Sequence, residues 1–198
     1  IPSRLVGSEM CIRDSFRDAS VNWVETEKRI KTEIDTSITT IVQGFIAGDS
    51  SGNTTTLGRE GSDFTAGIFA YCLDAESLTI WKDVSGVLNA DPREFKDPQL
   101  LEQISYEETI EMAFYGASVI HPKTIKPIQN KKIPLIVRSF KNLNSKGTKV
   151  TNKAEMIPHI PCYIVKKNQV LVSIASLDFS FIWKKILVKS SSFFTNTN

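Results

Sequence analysis

Thr54-Thr55-Thr56-Leu57-Gly58-Arg59-Glu60-Gly61-Ser62-Asp63 is the stretch from which the fold of this chain is read. Three hydroxyl residues, two glycines, an arginine and an aspartate stand in this one turn-rich segment, and the apolar run Phe64 to Leu73 follows at once. The run predicts a buried helix from Asp63 to about Asp74. A loop entering a helix favours anions: the first backbone N–H groups are unpaired, the dipole is positive there, and glycine lets a ligand approach the backbone. Arg59 adds a fixed charge able to grip a carboxylate or phosphate with two parallel bonds. An ordinary strand-to-helix turn, with Ser62 or Asp63 as N-cap, accounts for the same residues. Taken by itself, the stretch leaves these two readings level.

Upstream, Ser15 to about Lys31 predicts an amphipathic helix with Phe16, Ala19, Trp23 and Ile30 on one face. Ile38 to Val42 is β-branched, and the segment Asp35 to Ile46 reads as a buried strand leaving into a Gly/Ser/Asn-rich turn at 48–53. Downstream, Ser77 to Val84 is a second strand, with Lys82 and Asp83 at the end where an open α/β sheet binds ligands. Gly86 to Arg93 is a Pro-terminated loop whose Arg93 either turns toward a phosphate or is simply solvated. Ser105 and Glu108 form a capping-box pattern ahead of the stripe Ile110, Ala113, Phe114, Ala117. His121-Pro122 opens a further helix, Ile133 to Phe140 is a third strand, and Asn142 to Gly147 is a turn. Strands alternating with helices up to about Thr148 predict a mainly parallel, three-layer α/β domain. Residues 151–161 read as a linker. Tyr163–Val165 and Val170–Ile174 then read as strands, Asp178 to Val188 as a helix, and Ser190 to Asn198 as a frayed end.

The bulk numbers restrict the function. At 198 residues and 41% hydrophobic, the chain suits one soluble domain with part of a second. A net charge of +2 gives no reason to expect nucleic acid or a membrane surface as partner. Cys11, Cys72 and Cys162 are scattered, as are His121 and His159, so neither a metal set nor a redox pair is visible. No apolar run approaches the roughly 20 residues of a membrane span. Ile1 to Asp14 has neither period nor cap and reads as a leader foreign to the fold.

Several motifs stand in register. Gln43-Gly44-Phe45-Ile46 precedes the opening stretch; Ile80-Trp81-Lys82-Asp83-Val84, Gly86-Val87-Leu88 and Ala90-Asp91-Pro92-Arg93 follow it. Ser105-Tyr106-Glu107-Glu108 and Tyr115-Gly116-Ala117-Ser118-Val119-Ile120-His121-Pro122 complete the set. In this order, from about Phe16 to Ala175, the chain resembles the aspartate kinases of the amino acid kinase family. The resemblance implies transfer of the ATP γ-phosphoryl group to the side-chain carboxylate of L-aspartate, giving 4-phospho-L-aspartate for lysine, threonine and methionine synthesis. It implies an αβα sandwich of the carbamate kinase-like type, incomplete here. Residues 15–150 would be the C-terminal part of the kinase domain. Residues 162–198 would begin a ferredoxin-like ACT regulatory domain. Arg59 would then bind the aspartate α-carboxylate, with Ser62 and Asp63 at the substrate and phosphoryl end, Asp63 orienting a lysine, the amino group or a metal-bound water. Lys82, Asp83, Leu88, Arg93, Ser118 and Val119 match nucleotide-contact positions. ATP and Mg²⁺ are the implied cofactors, with Mg²⁺ held by the phosphates rather than by a protein metal site. A feedback amino acid (lysine or threonine), homo-oligomerisation and a cytoplasmic location are implied for the complete protein.

The chain departs from the family pattern in three places. Glu60 stands where many members have glycine, and is expected to point outward from the anion site. Ser118 stands where many have lysine, and can donate a hydrogen bond but brings no charge. The Lys-Phe-Gly-Gly type motif of the N-terminal lobe is missing, so the chain is expected to be inactive alone. Two other readings remain: another member of the family acting on glutamate or a nucleotide monophosphate, and a non-catalytic regulatory chain that binds lysine or threonine.

Overall fold

In the computed structural model, residues 5–6, 20–49, 53–58, 60–117 and 119–167 are described. The expected strands and helix after residue 168, the expected first turns of the first helix up to residue 19, and Arg59 and Ser118 lie outside them. The described residues up to Val165 belong to one unit of contacts.

The chain runs β1 (Leu5–Val6), α1 (Trp23–Glu33), β2 (Ile46–Gly48), β3 (Thr54–Thr56), α2 (Gly61–Cys72), β4 (Leu78–Lys82), β5 (Gln103–Ser105), α3 (Tyr106–Tyr115), α4 (Pro122–Asn130), β6 (Leu135–Ser139) and β7 (Thr148–Thr151). β1, β2 and β3 form a small sheet in that order, β1 parallel and β3 antiparallel to β2. The larger sheet has the order β4-β6-β7-β5, with β4 parallel to β6, β7 parallel to β5 and β6 antiparallel to β7. Two of its three strand pairings are parallel, as expected, and the β6–β7 pairing adds one antiparallel junction. β5 and β7 are three and four residues long and lie in stretches that show no strand period in the sequence.

Alternation decides which face is buried. Leu78 and Ile80, Leu135 and Val137, and Val150 point into the main core, where they meet Met112 of α3 and Ile125 and Ile128 of α4. Tyr106 is fully buried there and donates its hydroxyl to the Ile133 carbonyl. On the opposite face Arg138 lies over the Trp81 ring, 4.8 Å from its centre. A second core, Ile30, Ala47, Leu57, Ile68 and Cys72, joins α1, the small sheet and α2. Lys131 ties α1, α2 and α4 together. Its Nζ donates to the Tyr71 carbonyl at 2.7 Å and to Asp74 Oδ1 at 2.5 Å, and lies over the Tyr71 ring.

The helix ends follow the local chemistry. Ser105 and Glu108 form both halves of the expected capping box. His121 caps α4, its Nδ1 accepting from the Lys123 N–H at 3.1 Å, with Pro122 as the first helical residue. One element differs from expectation. Ile38 to Val42 is not a strand, and Ile38 and Ile41 are 64% and 94% exposed. A strand needs a neighbouring edge for its backbone groups. Here Thr40, Val42 and Gly44 instead form one wall of an open groove of about 510 Å³, with Ser77 and Leu78 at the edge of β4 and the side of α2 forming the others. The segment expected as a linker contacts the larger sheet and its loop. Within it Ile157 pairs with Gln103; just beyond it Tyr163, which opened an expected strand, forms an isolated bridge to Ala90 and stacks on Phe95. Among the described residues no helix is long and apolar enough to cross a membrane.

Candidate functional site

The start of α2 is built from backbone. Glu60 is its N-cap, in the left-handed region at φ 54°, ψ 33°, and its side chain makes no capping bond. Ser62 and Asp63, expected as caps, are instead the second and third helical residues, because Gly61 already starts the helix. Gly44 and Phe45 lean against this end. A Cβ on Gly44 would stand 3.0 Å from Ser62 Cα, and one on Gly61 would stand 2.6 Å from the Phe45 ring. Phe45 holds a positive φ of 74°, uncommon for an aromatic residue. Two bonds fix it there: its N–H donates to Thr65 Oγ1 at 3.0 Å, and its carbonyl accepts from the Leu57 N–H at 2.9 Å. Glycine is thus required at 44 and 61 for close approach, and Phe45 walls the helix end. The Glu60 carboxylate does not point outward. Its Oε2 is buried and has no hydrogen-bond partner among the described residues.

Asp63 faces the end of β4. Lys82 Nζ lies 2.6 Å from Asp63 Oδ2, with the two side chains 24% and 17% exposed. Lys82 is the last residue of β4, and its carbonyl accepts from the Phe140 N–H at the end of the parallel neighbour β6. Asp83 is exposed just beyond it. The two motifs read separately in the sequence therefore converge on one ion pair at the C-terminal edge of a parallel strand pair.

The loop after β4 is fixed from below. The Val87 N–H donates to Thr148 Oγ1 at 2.8 Å, and that hydroxyl donates to the Leu101 carbonyl at 2.6 Å. Gly86, at φ 148°, has no room for a Cβ, which would stand 2.5 Å from Thr148 Oγ1. Leu88 forms a bridge with Leu100. Arg93 is exposed and folded onto its near neighbour Asp91, at 2.7 Å from Nη2 to Oδ2. The hydrogen bonds that Arg93 donates to Asp91, and then the charge of that carboxylate, raise the Arg93 pKa above the ordinary arginine value. Val119 is half-buried against the main core. Sequence reasoning missed Thr148, a single threonine in a turn-rich stretch with no local sign of its partners. It also missed the wall formed by Phe45, whose positive φ no residue pattern announces.

Comparison with known proteins places these features in context. Residues 3–139 match the model of the amino acid kinase family. The bifunctional aspartokinase/homoserine dehydrogenase of Buchnera aphidicola is 41% identical over 140 residues, which are 70% of this chain and 17% of that protein. Lysine-sensitive aspartokinase 3 of Escherichia coli is 41% identical over 138 residues, 70% of this chain and 31% of that one. Among solved structures, E. coli aspartokinase III in complex with aspartate and ADP superposes with a TM-score of 0.70 and 36% identity, covering 77% of this chain and 34% of that one. The chain thus spans between about a sixth and a third of the length of these relatives.

Proposed function

The chain belongs to the amino acid kinase family, and from that premise we propose that it carries the acceptor-holding and nucleotide-contacting part of an aspartate kinase. The activity is that of the complete protein: transfer of the ATP γ-phosphoryl group to the side-chain carboxylate of L-aspartate. The observation that carries the reading is the Asp63–Lys82 contact, which sets the start of α2 beside the C-terminal end of β4. An acceptor held on the α2 side would then lie next to a nucleotide held on the β4 side. The relative in complex with aspartate and ADP supports the pairing of these two ligands.

The chemistry asks little of a base. A substrate carboxylate is already ionised at neutral pH, so the site has to hold two anions in line and offset their charge. We assign Arg59 to the aspartate α-carboxylate and Ser62 and Asp63 to the substrate end. Lys82, Asp83, Leu88, Arg93, Ser118 and Val119 are assigned to the nucleotide. Arg93 would leave Asp91 to reach a phosphate. Among the described residues no three His, Cys, Asp or Glu converge to hold a metal. Mg²⁺ would be held mainly by the phosphates and would neutralise phosphate charge when bound. We read residues 15–150 as the C-terminal part of the kinase domain, 151–161 as a linker and 162–198 as the beginning of an ACT unit. The name of the lysine-sensitive relative supports a feedback amino acid as the ligand of such a unit in the complete protein. Cytoplasmic location and homo-oligomerisation belong to the same proposal.

The test is acyl-phosphate formation, trapped as the hydroxamate, with ATP and a panel of carboxylate acceptors. The complete protein carrying this sequence is expected to prefer L-aspartate. Preference for glutamate or a nucleotide monophosphate would overturn the assignment. The 198-residue chain alone is expected to form no acyl phosphate, and product from it would refute that expectation.

A further inference from the structure

We propose that Lys82 is a catalytic cation of the phosphoryl transfer and that Asp63 is the residue that positions it. This inference rests on the aspartate kinase reading and goes beyond a ground-state nucleotide contact. Three observations carry it. Lys82 ends β4, immediately before Asp83 and the loop that leads to Leu88 and Arg93, so its backbone belongs to the nucleotide side. Its ammonium group reaches across to Asp63 on α2, 2.6 Å away, so its charge lies at the acceptor side. An ammonium carries three donors, and Asp63 is its ion-pair partner among the described residues, which leaves donors for a ligand.

The transferring group must cross between the nucleotide side and the acceptor side, and Lys82 spans both. In the step, an oxygen of the substrate side-chain carboxylate attacks the γ-phosphorus and forms the new P–O bond. The bond from that phosphorus to the β,γ-bridging oxygen breaks, and its electron pair stays on ADP. No proton moves. Lys82 keeps its three protons and donates hydrogen bonds to the equatorial oxygens, where charge is spread during transfer. Asp63 fixes a flexible four-carbon side chain in that place before the substrates arrive. An exposed lysine would have to be ordered at the moment of reaction. Partial burial of both side chains keeps the pair less screened by solvent than a surface pair.

The experiment is steady-state kinetics on the complete protein carrying this sequence, with Lys82→Met, Lys82→Gln, Lys82→Arg and Asp63→Asn. Circular dichroism confirms that each variant is folded, and Lys82→Gln carries the test should Lys82→Met fail to fold. We expect removal of the ammonium to lower kcat about 10²–10³-fold, with KM for ATP changing within about threefold. Lys82→Arg is expected to recover part of the loss. The Asp63→Asn/Lys82→Met double variant is expected to be no slower than Lys82→Met alone, because Asp63 acts through the lysine. Unchanged kcat with a raised KM for ATP in the Lys82 variants would overturn the inference and leave the aspartate kinase reading standing. So would additive losses in the double variant, for the role of Asp63. A wild-type protein that forms no acyl phosphate would instead strike the kinase reading itself.

Discussion

Glu60 combines two costs at one residue. Its backbone sits at φ 54°, ψ 33°, a left-handed conformation that costs a residue with a Cβ about 1–2 kcal/mol. Its Oε2 is buried with no hydrogen-bond partner among the described residues. Glycine relieves both and still serves as an N-cap, though it releases more chain entropy on unfolding. Glu60→Gly is therefore expected to stabilise the chain by about 1 kcal/mol, raising Tm by roughly 2–4 °C. A lower melting temperature in that variant would show that the Glu60 carboxylate is paired. The same neighbourhood shows what a sequence can and cannot disclose about a site. Asp63 and Lys82 each belong to a legible motif, but their contact depends on where α2 and β4 lie in space, and no spacing rule links a helix start to a strand end nineteen positions on.

At the level of elements, what is encoded within a few residues was readable. The Ser105–Glu108 capping box and the His121-Pro122 helix start are local hydrogen-bond devices, and both form. β5 and β7 were not readable, because three or four residues carry no measurable period and their pairing partners, each other, β6 and Ile157, are distant in sequence. Ile38 to Val42 shows the converse: β propensity alone does not make a strand, and this segment pairs with no described strand although it lies across an open groove from β4. Helix packing adds a constraint that propensity would misjudge. Gly67 lies mid-helix in α2, where alanine would gain about 1 kcal/mol in a free helix. Here an added Cβ would stand 2.9 Å from the Thr124 carbonyl oxygen and 3.6 Å from Pro127 Cγ, on α4. A backbone oxygen cannot swing aside as a side chain does, so the helices must separate, at a cost of about 1–3 kcal/mol. Gly67→Ala is thus expected to lower the urea midpoint despite its better helix propensity. A raised midpoint would show that α2 and α4 have slack between them.

Across the whole molecule, the two cores each hold a buried acid whose ionisation reports on folding. Cys72 lies in the α1–α2 core, and burial raises its thiol from 9.0 to about 11, followed by the charge of Glu27. Tyr106 lies in the main core, and burial raises its phenol from 10.0 to about 12, followed by the charge of Glu107. In both cases the unfolded chain loses its proton first as pH rises. Between pH 9 and 11 for Cys72, and between pH 10 and 12 for Tyr106, the folded chain holds more protons than the unfolded one. Stability therefore falls with rising pH through those windows and is fully present below them. Each shift corresponds to roughly 2–3 kcal/mol at its upper end. Urea unfolding at pH 8, 9.5 and 11 should show this decline, and Cys72→Ala should flatten the earlier part of it. The two cores share α2, whose Ala70 packs in one and whose Ile68 and Cys72 pack in the other. A helix built into both cores leaves neither able to open alone, so one cooperative transition is expected, seen alike at about pH 11, where the unfolded phenol ionises, by thiol reactivity at Cys72 and by absorbance of the Tyr106 phenolate. Thiol exposure at a lower urea concentration than phenolate exposure would mean that the α1–α2 core melts first and that α2 does not couple the two.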